Sequence, residues 1–137
     1  MLRGSSDREL DKVIDRIRSR YNPSAIILFG SRARGDYKPW SDYDLLIIAE
    51  FEKGYMDRIG EVIELLSDIR IAIEPHPYTL EEVREMLTKG NPLIVDALGE
   101  GVILHREQNF SEIEDIYREL IKKGLKKTRS TVIVPSD

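Results

Sequence analysis

Apolar positions along this chain fall first at helical spacing, then in short runs, and the alternation repeats. Leu10, Val13, Ile14 and Ile17 recur at intervals of three and four and predict a helix over residues 6–20, with Ser6 and Glu9 as its capping box. Pro23 closes that segment. "SAIILF", residues 24–29, and "DYDLLIIAE", residues 42–50, predict two buried strands. Ile59, Val62, Ile63 and Leu66 mark a helix over about 55–68. "IRIAIE", residues 69–74, alternates apolar residues with others and predicts a third strand, which "PHP" is expected to break. Thr79 and Glu82 form a second capping box for a helix to about Lys89, and Asn91 with Pro92 opens another to about Leu98. "GVILHR", residues 101–106, predicts a fourth strand. Ser111 and Glu114 are expected to cap a last helix carrying Ile113, Ile116, Tyr117, Leu120 and Ile121. "TVIV", residues 131–134, reads either as a strand or as a pairing tail. The sum is an α/β (α+β) chain with a small mixed β-sheet flanked by helices.

Composition bounds this reading. The 137 residues suit one domain, 1–137. Apolar runs stay far below membrane-spanning length, and "MLRGSSDREL" lacks the apolar stretch of a signal peptide. No cysteine is present, which excludes disulfides and thiolate metal sites. A cytoplasmic location is the expectation. The net charge of −4 gives no strong nucleic-acid signal, because a coating protein needs a basic footprint. One basic stretch stands out: Arg118, Lys122, Lys123, Lys126, Lys127 and Arg129 face a single acid, Glu119. It reads as a solvated helix end or as a docking surface.

Chemistry enters between the first two strands, at "FGSRARGDYKPWSDYDLLII". Asp42 and Asp44 alternate with Tyr43, so in a strand their carboxylates face one way, roughly 6–7 Å apart along the backbone. Adjacent carboxylates repel and resist joint ionisation unless a cation neutralises them. Oxygen ligands without cysteine or a histidine cluster suit Mg²⁺ or Mn²⁺. Glu74, at the end of the predicted third strand, is a candidate third acid if that strand lies beside "DYDLLII". Three carboxylates can hold two Mg²⁺ ions, which stabilise the entering and leaving oxygens of phosphoryl or nucleotidyl transfer. Gly30 permits a sharp turn and close backbone approach to a phosphate. Ser31 can cap the next turn or donate to a phosphate oxygen. Arg32 and Arg34 supply positive charge; one is expected to reach a phosphate and the other to hold the loop. Neither a P-loop nor a dinucleotide-binding glycine pattern is present. Trp40 is read as pinning the loop to the core in preference to stacking on a base. His76 and His105 are read as ordinary structural histidines.

"GSRARGDYKPWSDYDLLII" resembles the signature of the DNA polymerase β-like nucleotidyltransferases, in which Gly-Ser precedes D-x-D on the next strand. The chain is most similar to the stand-alone minimal nucleotidyltransferases. "IEPHPYTLEE" and "NPLIVDALGEGVILHR" resemble that family's continuation, so the likeness covers most of residues 24–106, with the helix and tail of 111–137 matching more weakly. The resemblance implies that Gly30 and Ser31 hold the triphosphate, that Asp42 and Asp44 bind both metals, and that Glu74 is the third carboxylate. The family more often has Asp there, and the added methylene of Glu74 is a departure. It further implies a small helical HEPN-type partner, as in toxin–antitoxin modules, with AMP moved from ATP to a partner tyrosine. The alternative is a non-catalytic antitoxin or nucleotide-binding module that sheathes its partner. Homo-oligomerisation is a further option, and no membrane partner is expected.

Overall fold

The computed structural model describes residues 5–127 and 131–135, with side chains from residue 8 onward. Helix α1 (Ser5–Tyr21) leads into strand β1 (Ala25–Phe29). A single helical turn, α2 (Ser31–Arg34), and a loop connect it to β2 (Tyr43–Ile48). Helix α3 (Tyr55–Leu65), strand β3 (Ile73–Tyr78), helices α4 (Leu80–Thr88) and α5 (Pro92–Glu100), strand β4 (Val102–Arg106) and helix α6 (Ser111–Lys122) follow. A short hairpin, β5 (Lys126–Lys127) and β6 (Val132–Ile133), takes up part of "TVIV". The main sheet has the order β3-β2-β1-β4, with β1 antiparallel to both neighbours and β2 parallel to β3. It is the mixed sheet that the alternation predicts.

β1, and β2 beyond Asp44, are apolar without interruption because both of their faces are covered. Ala25, Ile27, Phe29, Leu46 and Ile48 pack with Val83, Leu87, Ile94, Val95, Phe110 and Ile113 from α4, α5 and the approach to α6. Ile26, Leu28, Tyr43, Leu45 and Ile47 face the other way, onto Val13 and Ile17 of α1 and Val62 of α3. Period-two alternation along one strand therefore builds two cores, and each closes against helices that carry period-3.6 stripes.

Three local expectations are corrected. "PHP" does not break the third strand; it lies inside it. Tyr43 N–H donates to the Ala72 carbonyl at 2.8 Å and Ala49 N–H to the Tyr78 carbonyl at 3.1 Å, so even-numbered residues of β3 face β2. The backbone nitrogens of Pro75 and Pro77 point outward from an edge strand, where a missing donor costs nothing. The segment 69–72 is not part of the strand. Ser111 is not a cap: a 3₁₀ turn, Gln108–Phe110, runs straight into α6 on the buried Phe110 ring, and Glu114 pairs with Arg106. At α1, Glu9 accepts from the Arg70 N–H at 3.0 Å and from Lys12, which ties the helix to the 66–72 turn. The Ser6 side chain lies outside the described residues, as does Arg129 of the basic stretch. The Thr79–Glu82 capping box and the Asn91 cap with Pro92 behind it are present as predicted.

Arg58 is the buried cation among the described residues. It is 8% exposed, and its guanidinium donates to the Lys53 carbonyl at 2.6 Å, the Pro77 carbonyl at 3.3 Å and Glu82 at 2.7 Å. Glu82 also accepts the Thr79 N–H at 2.7 Å, so one network joins α3, the end of β3 and the start of α4. Arg58→Met keeps the stem and removes the donors. It should lower unfolding free energy by about 2 kcal/mol, the scale of hydrogen bonds to charged groups, read as a lower urea midpoint at unchanged slope.

Candidate active site

The site is built where β1 ends and β2 and β3 begin. Phe29 is in register with Asp44, and Asp44 in turn with Glu74. All three side chains share the sheet face of Leu46, at its edge. Gly30 turns the chain away with φ +74° and ψ −158°, a conformation open essentially to glycine alone. A Cβ there would stand 2.5 Å from Asp44 Oδ2, so the missing side chain makes room for the carboxylate. The Gly30 carbonyl accepts the N–H groups of Ala33 and Arg34, each at 3.1 Å, and thereby starts α2. The Ser31 hydroxyl makes no hydrogen bond among the described residues.

The loop from α2 to β2 is wrapped around Arg32. Its Nε donates to the Ser41 carbonyl at 3.1 Å and Nη2 to the Pro39 carbonyl at 3.3 Å. The guanidinium lies 4.1 Å from the ring centre of Tyr37 and 4.4 Å from that of Tyr43. Of the two roles foreseen for the arginines, Arg32 takes that of holding the loop. Arg34 is half-exposed and reaches Asp36 at 3.3 Å and Glu100 at 3.4 Å, both weak surface contacts that a phosphate can displace. Trp40 corrects the reading given to it: it is 79% exposed and pins nothing.

The acids converge more narrowly than the sequence suggests. One ligand atom each from Asp44, Glu74 and His76 lies within 4.8 Å of the other two. Asp42 is exposed, one residue before β2, and stands outside this tight group. The crowding has an electrostatic signature. The Glu74 carboxyl is held above the ordinary glutamate range, chiefly by its hydrogen bond to Asp44, then by partial burial and the charge of Asp44, with Asp42 adding to it. Two carboxylates in this position cannot both ionise at ease, and a cation between them removes the penalty. Glu74 therefore faces Asp44 across a parallel strand pair, the neighbourhood on which its candidacy depended, and it stands near the start of β3 and not at its end.

His76 is the residue that the sequence reading missed. Its Nε2 is 3.2 Å from Asp44 Oδ1, its side chain is 14% exposed, and its ring packs 5.1 Å from that of Phe29. The signal was period two: with β3 continuing through Pro75, residues 74 and 76 share a face. Treating proline as a breaker hid it. His105 sits on β4, 3.6 Å from Glu107 and away from this cluster.

Residues 10–130 match the model of the nucleotidyltransferase domain family. This chain belongs to that family. It is a nucleotidyltransferase, as the Gly-Ser and D-x-D resemblance implied. It is 31% identical over 129 residues to a Methanocaldococcus jannaschii protein named "Putative protein adenylyltransferase MJ1305", covering 90% of this chain and 86% of that one. Among solved structures, a nucleotidyltransferase-fold protein of Sulfolobus solfataricus superposes with TM-score 0.52 at 21% identity, over 74% of this chain and 80% of that one. A toxin–antitoxin complex crystallised with AMP-PNP has a chain that matches with TM-score 0.52 at 19% identity, over 82% of this nucleotidyltransferase and 89% of its own length. These likenesses establish the mixed-sheet fold. Among the described residues, no helix is long and apolar enough to cross a membrane.

Proposed function

We propose that this nucleotidyltransferase moves AMP from ATP to a hydroxyl of another protein, a tyrosine of a small helical HEPN-type partner, using divalent metal held at the mouth of β2 and β3. The observation that carries the reading is the Asp44–Glu74 pair, forced together by strand register and given room by Gly30. The donor set fits divalent metal, because strand register crowds the Asp44 and Glu74 oxygens together and this crowding holds the Glu74 carboxyl above its ordinary range, a strain that a cation would relieve. Asp42, Asp44 and Glu74 would hold Mg²⁺, or Mn²⁺ in its place. Bound there, the metal supplies charge neutralisation for the triphosphate and a lower pKa for the attacking hydroxyl. Gly30 and Ser31 would take triphosphate oxygens on backbone N–H and hydroxyl, and Arg34 would add positive charge. In the transfer, the acceptor oxygen forms a bond to the α-phosphorus, the bond to the bridging oxygen of pyrophosphate breaks, and the hydroxyl proton leaves to a carboxylate or to solvent. What the protein contributes is alignment and charge.

Support for ATP and a protein acceptor comes from the name of the methanogen relative and from the nucleotide analogue in the toxin–antitoxin neighbour. The test is transfer of label from α-labelled ATP to a candidate helical partner, with tyrosine mapped as the modified residue. Label that never leaves ATP, with partner and metal both present, would refute it.

Trp40 offers an internal reporter. It is the single tryptophan, exposed and two residues before Asp42. On this reading a purine beside the carboxylates would stack on its ring, and stacking on such a platform is worth about 1–3 kcal/mol. Addition of ATP with metal should quench its fluorescence, and Trp40→Ala should weaken ATP binding about tenfold with little change in stability. An unchanged affinity in that variant would remove Trp40 from the nucleotide site.

A further inference from the structure

The His76 imidazole has no task in the mechanism just given, yet it is aimed at its centre. Strand periodicity puts it on the face of Glu74, and the parallel register sets it against Leu46, one pleat inward from Asp44. Phe29 walls one side of the ring and leaves Nε2 directed at Asp44 Oδ1, 3.2 Å away. Neighbouring ligands of an octahedral divalent ion lie about 3 Å apart, given bonds near 2.1 Å. The Asp44–His76 pair already has that separation, and the whole Asp44, Glu74 and His76 group needs only modest side-chain closure from its 4.8 Å span. Asp42, the other acid of the D-x-D pair, is outside it.

We infer that His76 Nε2 is itself a metal ligand, so that the ion held by Asp44 and Glu74 sits in a mixed nitrogen–oxygen site that favours Mn²⁺ and later transition metals over Mg²⁺. This rests on the proposed metal-dependent reading. Mg²⁺ is served by carboxylate, carbonyl and water oxygens, whereas an imidazole nitrogen favours the softer ions. A site of oxygens alone would discriminate far less in that direction. The inner position of His76, at the floor between the acids and the apolar core, also limits how many waters the ion keeps on that side.

The experiment is pulsed electron paramagnetic resonance of Mn²⁺ added to the intact protein labelled with ¹⁵N-histidine. The chain has two histidines, and His105 is remote on β4, so assignment needs no spectral guesswork. Directly coordinated ¹⁵N coupling should appear in the wild type, persist in His105→Ala and vanish in His76→Ala. Calorimetry should show Mn²⁺ affinity falling at least about tenfold in His76→Ala, with Mg²⁺ affinity changing far less. The conservative His76→Gln variant, which keeps polarity and volume, should behave like His76→Ala toward Mn²⁺. The wild-type spectrum decides even if a variant fails to fold. Mn²⁺ bound without nitrogen coupling would overturn the inference and leave His76 as a hydrogen-bond partner that orients Asp44. An absence of Mn²⁺ binding altogether would overturn both this inference and the metal-dependent reading beneath it.

Discussion

Asp44→Asn will lower nucleotidyl transfer by on the order of 10³-fold or more, while thermal unfolding stays near the wild-type temperature. The two halves of that result come from one geometry. Asparagine keeps the shape of Asp44, so the packing of β2 between β1 and β3 is undisturbed. It removes the charge that crowds Glu74, and its amide can still hydrogen-bond to Glu74 and His76, so little stability is lost. What disappears is the anionic oxygen on which Glu74 and His76 converge. Asp42→Asn should also abolish transfer on the proposed reading, through an exposed carboxylate that the metal-free cluster does not include. Labelled transfer with thermal denaturation of the same preparations checks both. Full activity in Asp44→Asn would remove the carboxylates from the chemistry. Partner neutralisation surviving without transfer would make sheathing the primary role.

Gly30→Val should also damage transfer, less severely and by a different route. The backbone there has φ +74° and ψ −158°, where a side chain costs on the order of 1–3 kcal/mol. Its Cβ would meet Asp44 Oδ2 at 2.5 Å, and β-branching adds bulk in the same direction. The residue can be accommodated only by moving Asp44 or the turn. Displacements of this size at reacting groups cost about 10²-fold in rate. The expected phenotype is therefore a fall of about 1–3 kcal/mol in stability by urea titration, joined to a loss of transfer of about 10²-fold. Gly30→Ala should show the same pattern in weaker form. A stable, fully active Gly30→Val would mean that the turn does not set the carboxylate.

The sequence made most of the scaffold legible, because hydrophobic spacing is dictated by the same faces that bury it. β1 reads as a solid apolar run because Ile26 and Ile27 serve opposite cores. The Thr79 and Asn91 caps read directly because their bonds are local. Failures arose where a local rule met a non-local fact. Proline is a poor strand residue until one knows that β3 is an edge and that Pro75 and Pro77 point their nitrogens outward. That single misreading ended the strand at Glu74 and left His76 without a site. Ser111 looked like a cap because the preceding 3₁₀ turn cannot be seen in a string. Trp40 reads as pinning the loop to the core, and its exposure depends on a loop conformation that is built around Arg32. Arg58 gave no signal, since its burial depends on partners 19 and 24 residues away.

The central claim is that the carboxylates beside Gly30 bind the donor nucleotide through divalent metal. Calorimetric titration of ATP into the wild-type protein and Asp44→Asn, each with and without Mg²⁺ or Mn²⁺, tests it most directly. The account predicts binding to the wild type only when metal is present, and none to the variant under either condition. ATP binding that is equally strong without metal, or that survives unchanged in Asp44→Asn, would contradict it.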